Sequence, residues 1–236
     1  MKFTLHKADS RGYADHGWLK AKHSFSFANY HNPEKIHFGL LRVLNDDIVS
    51  AGMGFGTHPH DNMEIVTIPL KGELAHKDST GNKGVIRVND VQIMSAGSGI
   101  THSEFNNSDK EEVNLLQIWV FPLEKNIKPR YDQKTFNKDD RINIVKTLVS
   151  PEKNKDSLWI NQNAYFSLCT LQKNKSVTYN LNKPGNGIYI FLIEGEVNIE
   201  KELLKKRDAI GIEEAEKLDI SANEESEILF IEVPMR

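Results

Sequence analysis

The feature that most constrains this chain is its series of short runs rich in Val, Ile and Phe, separated by polar turn residues. The turn residues include Asn45-Asp46-Asp47, Lys71-Gly72 and Asn89-Asp90. Many short strands at close spacing predict an all-β sandwich or barrel. The predicted strands cover residues 38–44, 48–55, 63–70, 84–88, 91–96, 113–121, 165–172, 176–181, 188–193, 209–212 and 228–233.

A few segments lack this strand pattern. Residues 134–141 and 200–206 are predicted as short helical turns. The polar segment 125–140 contains Pro129 and many charged residues, which is typical of a linker. We therefore expect an N-terminal domain over residues 1–133 and a C-terminal domain over residues 134–236.

A weak internal repeat links the two halves. Leu70-Lys71-Gly72-Glu73 is similar to Ile193-Glu194-Gly195-Glu196. Each Gly-Glu is followed further along by an Asp and apolar residues, at Asn89-Asp90-Val91 and Arg207-Asp208-Ala209. The repeat predicts two barrels of similar plan, and the alternative is chance recurrence of turn residues in a β protein.

Charge and cysteine content exclude several classes of protein. Lys and Arg total 30 and Asp and Glu total 33, so the chain lacks the basic excess of a nucleic-acid or membrane-surface binder. The single cysteine, Cys169, excludes an intrachain disulfide framework and favours a reducing compartment. The longest apolar run, 188–193, is far shorter than the roughly 20 residues of a membrane helix. With no signal-peptide pattern over residues 1–13, we expect a cytoplasmic protein.

The histidines are unevenly distributed, because all nine lie at or before residue 102. His58 and His60 are two residues apart, so a strand would place both imidazoles on one face. Glu64 has the same parity if that strand stays regular. His102 and Glu104 repeat the spacing with a carboxylate. Two such pairs on facing strands supply three nitrogens and one oxygen, a set that suits Fe, Mn, Co, Ni, Cu or Zn.

The alternative interpretation is that these are ordinary polar residues. A His-x-His pair alone is more often a pair of surface or hydrogen-bonding histidines, and the second pair is what favours a metal site. His76 is interpreted as a residue on a strand or turn face. Histidine chemistry is confined to the first domain, so the second is expected to be structural or to act as a binding lid.

Several segments resemble a known family. Gly52-x5-His58-x-His60-x3-Glu64 is similar to the first cupin motif. Segment 95–104, Ser-Ala-Gly-Ser-Gly-Ile-Thr-His-Ser-Glu, resembles the second motif as it occurs in pirins, and segments 23–30 and 38–44 resemble the pirin N-terminal region. The chain is identified by this resemblance as a bacterial-type pirin, a two-domain cupin, most strongly over residues 12–122.

The resemblance implies a fold and a metal site. It implies two antiparallel β-barrels of the cupin or jelly-roll type, packed face to face, in a protein that is commonly a monomer. The N-terminal barrel would hold one ion through His58, His60, His102 and Glu104, and the second barrel none. Fe(II) is the expected ion, with Mn, Co, Ni, Cu and Zn as alternatives. In many cupins the glutamate of the first motif is the ligand, so Glu64 competes with Glu104; the pirin pattern favours Glu104 and leaves Glu64 to orient a histidine.

Three functions follow from the resemblance. The first is a quercetin 2,3-dioxygenase that opens a flavonol ring with O2, with Glu104 or Glu64 accepting the substrate proton. Its pocket wall would include Phe25, Phe27, Phe55 and Met63, unless these residues are simply barrel core. The second is an iron-dependent redox sensor that binds a protein partner, and the third is a cupin enzyme with another substrate. No direct nucleic-acid or membrane binding is expected.

Overall fold

The computed structural model describes residues 1–236, which form β-strands and two short 3-10 helices, Ala8–Ser10 and Lys138–Arg141. None of its helices has the length and apolar character that a membrane crossing needs. The first twelve strands are β1 (Lys2–His6), β2 (Gly12–Asp15), β3 (Leu19–His23), β4 (Leu41–Val49), β5 (Gly54–His60), β6 (Glu64–Lys71), β7 (Glu73–Asp78), β8 (Lys83–Arg87), β9 (Asp90–Ser95), β10 (Ile100–Asn106), β11 (Val113–Val120) and β12 (Arg130–Thr135). The other ten are β13 (Lys146–Ser150), β14 (Leu158–Trp159), β15 (Tyr165–Leu171), β16 (Ser176–Asn180), β17 (Asn186–Glu194), β18 (Glu196–Ile199), β19 (Glu202–Lys205), β20 (Ala209–Glu213), β21 (Lys217–Ala222) and β22 (Ser226–Pro234).

The molecule has two halves, each built of one seven-stranded and one four-stranded sheet. In the first half the orders are β12-β9-β6-β11-β4-β3-β2 and β5-β10-β7-β8. In the second half they are β1-β20-β17-β22-β15-β13-β14 and β16-β21-β18-β19. The all-β prediction is confirmed. Two barrels are not confirmed, because the two sheets of each half are not hydrogen-bonded into one closed sheet.

The largest hydrophobic cluster lies where the two seven-stranded sheets meet. It contains 26 buried residues from both halves, including Leu44, Phe166 and Phe191. Successive side chains of a strand point to opposite faces of the sheet. In β11, Ile118 therefore joins this cluster, while Gln117 lies on the opposite face of the sheet and lines a cavity. The inner face of that sheet is thus free to line a cavity.

The first strand of the chain belongs to the second half. β1 pairs antiparallel with β20, with Lys2 opposite Glu213 and His6 opposite Ala209. His6 is buried, and its Nδ1 lies 2.8 Å from the hydroxyl oxygen of Tyr189. The chain therefore contributes an edge strand to the C-terminal sheet before it builds the N-terminal half.

The internal repeat corresponds to the same crossing in both halves. Gly72 joins β6 of a seven-stranded sheet to β7 of a four-stranded sheet, and Gly195 joins β17 to β18 in the same way. Their φ angles are +73° and +93°, a region that glycine adopts without strain. The two Asp motifs likewise mark the return crossings, from β8 to β9 and from β19 to β20.

The predicted turn at Asn45-Asp46-Asp47 is wrong, because these residues lie in the interior of the nine-residue strand β4. Polar residues are accommodated there by partners from other strands, which local sequence does not reveal. The turn comes later, where the Met53 N–H donates to the Ser50 carbonyl at 3.1 Å. The predicted strand 48–55 is therefore divided between β4 and β5.

Two other expectations for polar segments are wrong. Segment 125–140 is not a linker throughout, since it contains β12, which pairs with β9 at the edge of the sheet. An edge strand tolerates polar residues on its exposed side, so its composition resembles that of a linker. Segment 200–206 is a turn leading into β19 rather than a helical turn. The helical turn predicted over 134–141 is present only at Lys138–Arg141.

Candidate metal centre

The histidine motifs lie on β5 and β10, which are neighbours in the four-stranded sheet. His58 is directly opposite His102 in the pairing register, and His60 follows on the same face of β5. The ring centroids are 4.4 Å apart for His58 and His102, and 4.9 Å apart for His60 and His102. One side-chain nitrogen from each of the three rings lies within 4.8 Å of the others. The structure thus brings the three histidines together at one point.

Close approach of the two strands depends on Gly54. A Cβ atom there would lie 2.2 Å from the carbonyl oxygen of Glu104, so no other residue fits without moving the backbone. The register shifts between His102 and Glu104, the latter facing Phe55. This bulge lets β5 follow β10 while His58 stays opposite His102.

The imidazole nitrogens are available to a ligand. His58 Nδ1 lies 2.8 Å from the Gly56 carbonyl oxygen, which can only accept, so Nδ1 carries the proton and Nε2 the lone pair. His102 is buried, and neither of its ring nitrogens has a hydrogen-bond partner. Burial and the neighbouring His58 lower the pKa of His60 to about 4 and that of His102 to about 3. Both rings are therefore neutral at pH 7, the form that binds metal ions.

Glu104 lies beside the histidines with one oxygen unpaired. Its Oε2 accepts a hydrogen bond from Gln117 Nε2 at 3.0 Å, while the buried Oε1 has no partner. Burial raises the pKa of Glu104 to about 7, although the hydrogen bond from Gln117 opposes that rise. An unpaired buried carboxyl oxygen is costly unless a cation or donor satisfies it.

His76 is also part of this group, which the sequence did not indicate. It lies on β7 directly opposite Glu104, and together with His102 these residues form a second group whose ligand atoms lie within 4.8 Å. His76 Nε2 is 3.3 Å from Asp78 Oδ2, and its ring packs 4.6 Å from that of Tyr131. The sequence feature that could have indicated His76 is its His-x-Asp spacing with Asp78, which repeats the spacing of His102 and Glu104.

The donor set fits a divalent transition ion. Three imidazoles and one carboxyl group match the nitrogen and oxygen ligands that Fe, Mn, Co, Ni, Cu and Zn accept. The unpartnered nitrogens of His102 and the unpartnered Oε1 of Glu104 are buried polar atoms that an ion would satisfy. No thiolate is near, because the single cysteine, Cys169, is buried in the second half.

Glu64 lies away from the histidines, contrary to the parity expected of a regular strand. Asn62 has a φ of +44°, which ends β5, and Glu64 begins β6 in the other sheet of this half. Glu64 Oε2 accepts hydrogen bonds from Ser95 Oγ at 2.8 Å and from the Asn161 N–H at 3.1 Å. Burial raises its pKa to about 7. Glu64 therefore links the two halves of the molecule instead of facing His60.

A cavity of about 250 Å³ opens beside the histidines. Of the four residues predicted as pocket wall, Phe27 and Phe55 line it. Phe25 lies in the large core between the halves, and Met63 packs against a small separate cluster. The lining residues are Phe27, Asn45, Asp47, Phe55, His58, His60, His102, Glu104, Gln117 and Trp119.

A row of buried polar residues crosses the seven-stranded sheet, and two of them, Asn45 and Gln117, line the cavity. Thr67 on β6, Gln117 on β11, Asn45 on β4 and His23 on β3 are successive partners in the pairing register. Thr67 Oγ1 donates to Gln117 Oε1 at 3.2 Å. His23 Nδ1 donates to Asn45 Oδ1 at 2.8 Å. Gln117 is thereby held from one side while its amide nitrogen holds Glu104 from the other.

Asp47 follows Asn45 on the same face of β4, but its Oδ1 is buried without a hydrogen-bond partner. Burial, and then the carboxylates of Asp46 and Glu104, raise the pKa of Asp47 to about 8. Sequence reasoning missed Asn45, Asp47 and Gln117. The available signal was weak: segment 41–49 contains no Gly or Pro to support a turn.

An all-β chain of two similar halves, with a cavity of histidines and a glutamate between the sheets of the first half, has the architecture of a two-domain cupin. A family model described as Pirin matches residues 4–120, and one described as Quercetinase C-terminal cupin domain matches residues 147–233. The chain belongs to the pirin family.

Its relatives match over nearly their whole lengths. The chain is 40% identical to quercetin 2,3-dioxygenase of Escherichia coli strain K12 over 230 residues, 98% of each chain. It is 40% identical to a pirin-like protein of Caulobacter vibrioides, over 95% of this chain and 96% of the relative. Among solved structures, bacterial pirin YhhW from Escherichia coli in complex with nickel(II) has a TM-score of 0.93 at 39% identity, covering 99% of both chains.

Proposed function

We propose that this protein is a metal-dependent dioxygenase that opens the ring of a flavonol such as quercetin. The observation that carries the proposal is the group of His58, His60 and His102 beside the buried Glu104 at the cavity, in which neither ring nitrogen of His102 has a partner. The activity named for the Escherichia coli and Zymomonas mobilis relatives, the latter a putative quercetin 2,3-dioxygenase, supports this choice of substrate.

The residues that would hold the ion are His58, His60, His102 and Glu104. The nickel(II) complex of the Escherichia coli pirin supports a divalent ion here, and we propose Fe(II) as the physiological one. When bound, the ion would act as a Lewis acid that lowers the pKa of the flavonol hydroxyl group. Gln117 would keep the Glu104 carboxyl turned toward this point through its 3.0 Å hydrogen bond.

Glu104 is the carboxyl group that would take the hydroxyl proton of the substrate. It lines the cavity, whereas Glu64 is buried between the halves of the molecule. A general base must lie within hydrogen-bond reach of the proton that it removes, and this condition favours Glu104 over Glu64.

The aromatic wall suits a planar ligand. Phe27 packs edge-on against Trp119 at 5.3 Å, and Trp119 packs edge-on against His60 at 4.9 Å. These rings would contact the flavonol and exclude water from it. The cavity is small beside typical ligand sites of roughly 300–1,000 Å³. Phe27 also borders a second, largely apolar pocket of about 350 Å³, which would give the third ring of a flavonol space.

The test is to load the purified protein with Fe(II) without oxygen, add a panel of flavonols, and then admit O2. Turnover should consume flavonol and O2 and release carbon monoxide. The His102→Ala variant is the control, because it should lose the ion and the activity together. Bound metal with no reaction across the panel would contradict the enzyme and leave the redox-sensing alternative.

Three further proposals concern the oligomeric state, the location and the domain division of the protein. We propose a monomeric, cytoplasmic protein with a metal-binding domain over residues 1–133 and a domain without metal over residues 134–236. The main support for a second domain without metal is that residues 134–236 contain no histidine. Light scattering would measure the mass in solution, and elemental analysis should find about one metal equivalent per chain.

A further inference from the structure

The cavity contains a second buried carboxyl group besides Glu104. Asp47 is only 4% exposed, lines the cavity, and has a buried Oδ1 without a partner. A carboxyl group removed from water without a hydrogen bond destabilises the folded protein, so its presence needs a reason. We propose that Asp47 binds a hydroxyl group of the ligand, other than the oxygens that face the histidines. This proposal rests on the proposed function, because it assumes a polyhydroxylated aromatic ligand.

Asp47 differs in its hydrogen bonding from the two residues that precede it in β4. Asn45 is bonded to His23, and Asp46 accepts a hydrogen bond from Asn114 at 2.8 Å. The residues directly opposite Asp47 are apolar, namely Ala21 on β3 and Leu115 on β11. The fold therefore supplies partners to the other polar side chains of this strand segment but leaves Asp47 Oδ1 without one.

The chemistry of the surroundings selects a hydroxyl group. Aromatic rings form much of the cavity wall, which suits an aromatic ligand with a few polar substituents. Either oxygen of a carboxyl group can accept a hydrogen bond, and a phenolic hydroxyl group can donate one. A second metal ion is the rival ligand, and the experiment below distinguishes it.

The test compares Asp47→Leu and Asp47→Asn with the unchanged protein, all carrying metal and kept free of oxygen. Binding is measured by calorimetry for two ligands. Quercetin carries several ring hydroxyls, whereas 3-hydroxyflavone carries only the hydroxyl and keto pair expected to face the histidines. Asp208→Asn is the control, since Asp208 is equally buried but is bonded to Lys7 outside the cavity.

Asp47→Leu should weaken quercetin binding about 10- to 100-fold, the range for losing one buried hydrogen bond to an ionisable group. Binding of 3-hydroxyflavone should change little. Asp47→Asn should restore part of the quercetin affinity, because an amide can also bond a hydroxyl group. The metal-free Asp47→Leu variant should melt at a higher temperature than the unchanged protein, since it lacks the unpaired carboxyl group.

Several results would overturn the proposal. These are an equal loss for both ligands, unchanged quercetin binding in Asp47→Leu, or a second metal equivalent that disappears with Asp47. If Asp47→Leu selectively loses quercetin affinity but the unchanged protein consumes no oxygen, the dioxygenase function fails and the role of Asp47 stands. If the unchanged protein turns over quercetin while Asp47→Leu binds quercetin equally well, the dioxygenase function stands and the role of Asp47 fails. If it binds neither flavonol, both proposals fall.

Discussion

Asp46 and Asp47 are adjacent in β4, yet their carboxyl groups lie on opposite faces of the seven-stranded sheet. Asp46 Oδ2 is 3.6 Å from Nη1 of Arg11 and 3.6 Å from Nη1 of Arg207, which come from opposite ends of the chain. Asp47 lines the cavity beside the histidines. One strand thus connects the contact between the two halves with the wall of the candidate metal centre.

The first prediction concerns stability at this contact. Asp46→Ala should reduce the free energy of unfolding by about 3–5 kcal/mol, because it leaves two largely buried guanidinium groups without their shared carboxylate. Urea denaturation measures the change. Asp9→Ala, which removes an exposed carboxylate, should shift stability by less than about 0.5 kcal/mol. A loss for Asp46→Ala no larger than for Asp9→Ala would show that the cluster contributes nothing.

The second prediction concerns metal stoichiometry. His58→Ala and His102→Ala should each lower bound metal well below one equivalent after reloading with Fe(II), because each removes a ligand from the site. Elemental analysis of gel-filtered protein measures the content. His31→Ala, at an exposed position, should keep the full equivalent. Metal retained by both site variants would place the ion elsewhere.

The third prediction concerns charge at the site. Glu104→Gln replaces an anionic oxygen ligand with a neutral one, so metal affinity should fall and Fe(III) should be lost more readily than Fe(II). Competition with a chelator in each oxidation state measures the two affinities. Equal losses for both ions would indicate that Glu104 does not contact the metal.

The fourth prediction concerns the residue that holds Glu104. Gln117→Leu removes the 3.0 Å hydrogen bond to Glu104 Oε2 and should weaken metal binding about 10- to 100-fold. Gln117→Glu would add a like charge and should weaken it further. Circular dichroism should match that of the unchanged protein, which separates this effect from misfolding. Unaltered affinity in Gln117→Leu would make the hydrogen bond irrelevant to the site.

The fifth prediction concerns pH and Glu64. Its folded pKa of about 7 lies above the ordinary value of 4.5, so the folded protein binds more protons than the unfolded chain between these values. The contribution of Glu64 to stability is therefore fully present below about pH 4.5 and is lost as pH rises through 7. Relative to the metal-free Glu64→Gln variant, the metal-free protein should lose up to about 3 kcal/mol between pH 5 and pH 8.

Urea denaturation of both proteins at several pH values gives the difference directly. The histidines titrate alike in the two proteins, so their effect cancels. Parallel stability curves would mean that Glu64 does not change its proton affinity on folding. After reloading with metal, both proteins should hold the same amount, because Glu64 is bonded to Ser95 and Asn161 rather than to the histidines.

The sequence predicted those parts of the site that depend on local spacing. His58 and His60 share a face because strand periodicity fixes it, and the same holds for His102 and Glu104 within β10. That β5 and β10 then lie side by side is a matter of pairing, and here the resemblance to the cupin motifs supplied the missing information. The all-β class followed from the many short apolar runs.

What the sequence could not give depends on distant partners. Asn45 and Asp47 have the composition of a turn, and only the pairing with β3 and β11 places them in a sheet. Glu64 keeps the right spacing from His60, but the positive φ of Asn62 breaks the strand between them. An even spacing places two side chains on the same face only while both residues lie in one strand, and a single residue with positive φ can end that strand.

The pairing of β1 with β20 determines what any label on the amino terminus reports. A fluorophore or affinity tag placed before Lys2 would sit next to Glu213, on the half that does not carry His58, His60 and His102, although it precedes these residues in the sequence. A fragment starting at residue 134 would expose Ala209–Glu213 as an open sheet edge, a surface that invites association with other chains. A synthetic peptide carrying Lys2–His6 would be the natural strand to cap that edge.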